Sequence, residues 1–225
     1  MKKITILLAD DHTIVREGFR KMLELESDLA VVGEAQDGRQ AVALVKKLRA
    51  AVVLMDIVMP LLNGLEATRQ VLKDVPTTKV LMLSAHSDDA YVQTAIESGA
   101  AGFLLKQTSA SDVCRAIREV HRGKTFFSPS IARHFNRLNP LLAGRTGALS
   151  SKAAQLTSRE MEVLQLIAEG KANKETASEL GIGIKTVEKH REHLMEKLDI
   201  HDTAGLIRYA ISAGVIESSV QLTIV

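Results

Sequence analysis

The run Val52-Val53-Leu54-Met55 puts four apolar residues in a row, two of them β-branched, and stops on a single carboxylate, Asp56. A strand with no polar face belongs inside a parallel sheet that helices cover on both sides. Met59-Pro60 and Asn63-Gly64 follow and read as a loop. Asp56 is therefore expected at the carboxyl end of a buried strand. In open parallel sheets that end is where sites are built, which makes the ends of the other strands the next thing to read.

Residues 1–125 repeat this alternation of apolar runs with helix-period segments. Strands are expected at Ile4–Ala9, Leu29–Gly33, Val52–Asp56, Val80–Ser84 and Gly102–Leu105. Helices are expected at His12–Leu25, Arg39–Leu48, Gly64–Lys73, Asp89–Ser98 and Ser109–Arg122, the last opening on a capping box, Ser109-Ala-Ser-Asp112. The fold class that follows is an α/β doubly wound, five-stranded parallel sheet of flavodoxin-like order 2-1-3-4-5.

From Thr125 to Gln155 the periodicity stops. Ser128-Pro129, Asn139-Pro140, Gly144 and Gly147 read as a linker with a short helix around Ile131–Leu138. Residues 156–217 then read as a small all-α unit of four helices. Thr157 caps the first, Asn173 caps a short one to Leu180, Ile184–Leu198 is longer, and Asp202 caps the last. Two helices joined by Gly181-Ile-Gly183 have helix-turn-helix geometry. The expected domains are 1–124, a linker 125–155, 156–217, and a tail 218–225.

Charge divides the same way, with net +1 over 1–125, +4 with no acid over 126–155, and −3 over 156–225. One cysteine, Cys114, excludes an internal disulfide and fits a reducing compartment. The amino terminus becomes acidic at Asp10-Asp11, too soon for a signal peptide, and no apolar run approaches a membrane span, so a cytoplasmic protein without a membrane partner is expected.

Strand one ends in Asp10-Asp11, strand three in Asp56, strand four in Ser84 and strand five in Lys106, while strand two, at the sheet edge, ends without a comparable group. Three converging carboxylates repel one another, and a hard divalent cation, Mg²⁺, is the natural way to keep them ionised. Carboxylate, metal, hydroxyl and ammonium at one edge make a phosphoryl-acceptor site. The Asp attacks phosphorus, the cations neutralise charge and the Ser84 hydroxyl binds a phosphoryl oxygen.

These residues resemble the receiver domain of two-component response regulators over residues 3–122. The motifs are Asp10-Asp11, Met55-Asp56 with Met59-Pro60 and Gly64, Leu83-Ser84-Ala85, and Gly102-Phe103-Leu104-Leu105-Lys106. The resemblance implies that Asp56 accepts a phosphoryl group from a histidine kinase. It implies that Asp11, Asp56 and the Val58 backbone carbonyl bind Mg²⁺, with Asp10 acting through water. Ser84 and Phe103 would form a coupled switch, and Val58 and His86 would tune phosphate loss. Gln107 stands where many receivers have proline.

Residues 156–216 resemble the LuxR-type helix-turn-helix, which likens the whole chain to the NarL/FixJ subclass. Leu156-Thr157, Arg159-Glu160, Gly170, Asn173-Lys174-Glu175, Lys185-Thr186-Val187-Glu188-Lys189-His190 and Lys197-Leu198 carry the likeness. Ile184–Leu198 would enter the major groove of double-stranded DNA. The candidate contacts are Lys174, Lys185, Thr186, Val187, Glu188, Lys189, Arg191, Glu192 and His193. A glutamate at 188 or 192 either accepts from cytosine N4 or turns away to pair with a lysine. Gly183 replaces a frequent capping serine and Thr176 a usual isoleucine. Leu206, Ile207 and Ala210 on the last helix would form a dimer contact.

The chain is thus expected to be a phosphorylation-activated, sequence-specific transcriptional regulator that dimerises on phosphorylation. It is not an enzyme, beyond loss of its own phosphoryl group. One rival is a regulator that binds DNA independently of phosphorylation. The other is an aspartate-nucleophile phosphatase, which wants a second carboxylate two residues after its nucleophile, where this chain has Val58.

Overall fold

A computed structural model describes residues 3–85, 89–127 and 156–216, with the side chains of 89–91 outside that set. The helix expected around 131–138, the tail 218–225 and His86 lie outside the described residues. The chain divides into two compact units, Met1–Leu149 and Ser150–Val225.

The first unit runs β1 (Ile4–Ala9), α1 (Thr13–Glu24), β2 (Leu29–Ala35), α2 (Gly38–Leu48), β3 (Val52–Asp56), α3 (Gly64–Asp74), β4 (Lys79–Ser84), α4 (Asp89–Glu97), β5 (Gly102–Leu105), α5 (Ala110–His121) and β6 (Phe126–Phe127). All strands are parallel, in the order β2-β1-β3-β4-β5-β6. The period of two along each strand decides which helices cover which face. Leu7, Val53, Met55, Val80 and Met82 pack with Val42 and Val45 of α2, Leu65 and Val71 of α3, and Val92 of α4. Ile6, Leu8, Leu54, Leu81 and Leu83 pack on the opposite face with Leu23 of α1 and with Val113, Cys114, Ile117 and Val120 of α5.

The sheet has six strands, not the expected five. Phe126–Phe127, expected in the linker, pairs parallel with β5, Gly102 opposite Phe126 and Phe103 opposite Phe127. Two residues carry no periodicity to read. The signal lies instead on the partner strand: a Cβ at Gly102 would stand 2.2 Å from the Phe126 carbonyl oxygen, so the glycine admits the extra strand.

The second unit consists of α6 (Ser158–Ala168), α7 (Asn173–Leu180), α8 (Ile184–Leu198) and α9 (Thr203–Ser212). Thr157 and Glu160 form the capping box at the start of α6. Lys197 Nζ donates to Glu160 Oε2 at 2.7 Å, which ties the end of α8 to the start of α6. Two of the motif residues are therefore structural. Asn173 is the first residue of α7 rather than its cap; the Ala172 amide donates to the Glu175 carboxylate at 2.8 Å instead. Gly181 closes α7 at φ +63, and Gly183 precedes α8 without a side-chain cap, as the sequence implies.

Thr176 is fully buried, and among the described residues its hydroxyl has no hydrogen-bond partner. A buried, unsatisfied hydroxyl costs about 1–3 kcal/mol. Thr176→Val keeps the shape and removes the hydroxyl, so it is expected to stabilise the second unit by about 1 kcal/mol, read as a higher midpoint in urea denaturation.

Candidate functional site

The sheet topology brings the ends of β1, β3, β4 and β5 to one edge. There the Lys106 ammonium lies 2.8 Å from Asp56 Oδ2, to which it donates, and 2.9 Å from Asp10 Oδ2. The Lys106 amide donates to the Ser84 carbonyl at 2.8 Å, which fixes the turn after β5 beside β4. Asp10, Asp56 and Ser84 are buried, while Asp11 is exposed beside them. Phe103 is fully buried, its ring already packed into the core.

One ammonium faces several carboxylates, and the Asp56 acid records the imbalance. Burial and the neighbouring Asp10 charge push it up to about 7, against the pull of Lys106. Burial draws Lys106 down, but Asp56 and Asp10 outweigh it and hold the ammonium above its ordinary value. Carboxylate oxygens of Asp10, Asp11 and Asp56 and a ring nitrogen of His12 lie within 4.8 Å of one another. A hard-oxygen donor set with surplus negative charge suits a small divalent cation such as Mg²⁺.

Sequence reading missed three contributors. His12 lies at the mouth, with Nδ1 2.7 Å from Asp11 Oδ1 and 3.2 Å from Asp10 Oδ1, and its amide donates to Asp10 Oδ1 at 2.9 Å. Arg16 of α1 is buried and donates from Nη1 to the Asp10 carbonyl at 2.6 Å. Glu34 of β2 accepts from Arg16 at 3.3 Å and also from Arg20. The one available signal was Arg16 itself, a charge one turn before Phe19 and two before Leu23 on the apolar stripe of α1. β2, expected to be silent, thus reaches the site through Arg16.

On α8 the proposed DNA contacts separate. Lys185, Thr186, Glu188, Lys189, Glu192 and His193 are exposed, and so is Lys174 on α7. Val187 is not available: it is fully buried in the domain core, on the face of α8 that also buries Leu194 and Leu198. Arg191 is half-buried and donates to Asn173 Oδ1 at 3.4 Å and Thr203 Oγ1 at 2.6 Å, so it ties α8 to its neighbours. Among the described residues neither Glu188 nor Glu192 has a lysine partner; both line a shallow groove with Met195, Glu196 and His201. On α9, Leu206 and Ala210 are fully buried within the unit, which removes them from a dimer surface. Ile211 is 37% exposed, and Ile207 is half-buried beside it.

A doubly wound sheet with this acid, hydroxyl and lysine edge, followed by a helix-turn-helix, defines a response regulator. The response regulator receiver domain family matches residues 6–118, and the luxR family of bacterial regulatory proteins matches residues 154–210. The chain belongs to the response regulators, and its function is that of a two-component transcriptional regulator with a LuxR-type DNA-binding domain. It is 37% identical over 214 residues to the response regulator protein VraR of Staphylococcus aureus, covering 95% of this chain and 99% of that protein. It resembles the RcsB response regulator of Salmonella typhimurium at 29% identity and TM-score 0.57, covering 94% of this chain and 100% of that one. A structure of an RcsB–DNA complex is similar at 28% identity and TM-score 0.59, covering 94% of this chain and 99% of that one. Among the described residues, no helix is long and apolar enough to cross a membrane.

Proposed function

We propose that residues 1–124 act as a receiver phosphorylated on Asp56 by a histidine kinase, and that this modification controls dimerisation and operator binding by residues 156–217. The observation that carries the reading is the Lys106 ammonium held within 2.9 Å of both Asp56 and Asp10 at the carboxyl edge of the sheet. An Asp56 oxygen attacks phosphorus while the bond from phosphorus to the donor's imidazole nitrogen breaks, and the imidazole leaves with the electron pair. Asp11, Asp56 and the Val58 carbonyl would hold Mg²⁺, with Asp10 acting through water; when bound, the ion would supply positive charge to the phosphoryl oxygens and the acids around them. Lys106 contributes a compact positive charge to the same oxygens. The Ser84 hydroxyl donates to the new phosphoryl group, and Phe103, which the family resemblance couples to it, is already packed inward in this structure.

At the DNA, Lys174, Lys185 and Lys189 neutralise phosphates, and Thr186, Glu188, Glu192 and His193 face base edges. Similarity to RcsB, which has been solved bound to DNA, supports this placement. The net −3 of residues 156–225 makes one copy a weak binder, and the exposed apolar edge of α9 around Ile207 and Ile211 supplies a second copy's contact.

Incubation with Mg²⁺ and a small acyl-phosphate donor is expected to add one phosphoryl group to the parent, read by intact mass, and none to Asp56→Asn. Addition to both proteins would put the chemistry elsewhere. Unchanged operator affinity of the phosphorylated parent would favour the phosphorylation-independent rival.

A further inference from the structure

We propose that Arg16 is a positioning residue for the metal-binding acids, holding the Asp10–Asp11 turn from beneath with Glu34 as its countercharge. This rests on the reading of the site as a Mg²⁺-dependent phosphoryl acceptor. Arg16 is only 4% exposed, and a buried guanidinium is costly unless it is paired and hydrogen-bonded. Its three nitrogens go to three elements of the site's frame. Nη1 donates to the Asp10 carbonyl at 2.6 Å, Nη2 to Thr13 Oγ1 at 3.3 Å and Nε to Glu34 Oε2 at 3.3 Å.

At the turn that carries the acids, Asp10 is consequently held at its amide, its carbonyl and one carboxylate oxygen. The Asp10 amide donates to the Ala35 carbonyl at 3.2 Å, next to Glu34 in β2. The Asp10 carbonyl is taken by Arg16, and its carboxylate accepts from the His12 amide at 2.9 Å. Adjacent carboxylates repel, and a turn free to relax would splay them apart in the absence of a cation. Mg²⁺ tolerates little deviation from octahedral geometry, so a turn fixed beforehand binds it more tightly. Arg16 touches no carboxylate of the cluster. Its effect therefore belongs to metal affinity, with phosphoryl transfer following only through the metal.

The test is calorimetric titration of the full chain with Mg²⁺, comparing the parent with Arg16→Met, Arg16→Lys, Glu34→Gln and Asp11→Asn. Melting temperature without metal and phosphorylation rate against Mg²⁺ concentration are measured on the same samples. Arg16→Met is expected to raise the Mg²⁺ Kd about tenfold, with the phosphorylation rate recovering at saturating Mg²⁺. Glu34→Gln shifts Kd the same way by less, and Arg16→Lys, unable to span three partners, restores only part of the loss. Parental Kd in folded Arg16→Met overturns the proposal and leaves Arg16 a fold residue. If Arg16→Met does not fold, parental Kd in Glu34→Gln overturns it. Absence of Mg²⁺ binding in the parent, with Asp11→Asn indistinguishable from it, would sink the metal reading itself and this proposal with it.

Discussion

Replacing Asp56 with asparagine is expected to stabilise the metal-free protein at pH 8 and by less than half as much at pH 5. The ordinary aspartate value is 3.8, and in the folded protein burial and the Asp10 charge push Asp56 up to about 7. Across that window the folded state holds a proton that the unfolded state has released. Stability from this group is therefore complete below about pH 4 and is lost as pH rises through 7. Asparagine carries no charge to bury and lacks this slope. The gain at pH 8 should be about 2–4 kcal/mol, reduced by whatever Lys106 loses when its partner becomes neutral. Mg²⁺ should stabilise the parent at pH 8 and do little for Asp56→Asn. Urea denaturation of both proteins at pH 5 and pH 8, with and without Mg²⁺, checks each part. A pH-independent difference between them would mean that Asp56 is not held neutral in the metal-free fold.

Gly64→Ala should be among the most damaging single substitutions in the receiver. A Cβ at Gly64 would stand 1.9 Å from the Asp56 carbonyl oxygen, 2.9 Å from its carbon and 3.0 Å from Met55 Cγ. The two nearest atoms it meets are backbone and cannot swing away. The Gly64 amide donates to the Ile57 carbonyl at 2.7 Å, and Asn63 caps α3 through the Glu66 amide at 2.9 Å, so the first turn of α3 is pinned against the end of β3. Relief requires α3 or the Asp56 peptide to move. The expected cost is on the order of 4 kcal/mol, and the folded fraction should accept phosphoryl groups far more slowly because Asp56 is displaced. Denaturant midpoint and phosphorylation rate together test this. A parental rate in a destabilised but folded variant would separate the glycine's packing role from the site.

What could be read without coordinates was what depends on local order. The apolar run before Asp56 and the alternation around it determine a parallel sheet, because only a strand covered on both sides has no polar face. The topology then determines that Asp10, Asp56, Ser84 and Lys106 share an edge. The caps at Thr157 and Asp202 and the Gly181 turn were likewise legible, each being a short-range hydrogen-bond or backbone preference. The tertiary structure decided everything that depends on a partner distant in sequence. β6 exists because Gly102 lets Phe126 approach. Val187, Leu206 and Ala210 left the functional surfaces because burial depends on how helices pack, and a helical stripe shows an apolar face without showing its edges. Arg16 and Glu34 joined the site for the same reason: a buried charge is placed by the groups that satisfy it, and those lie on three different elements.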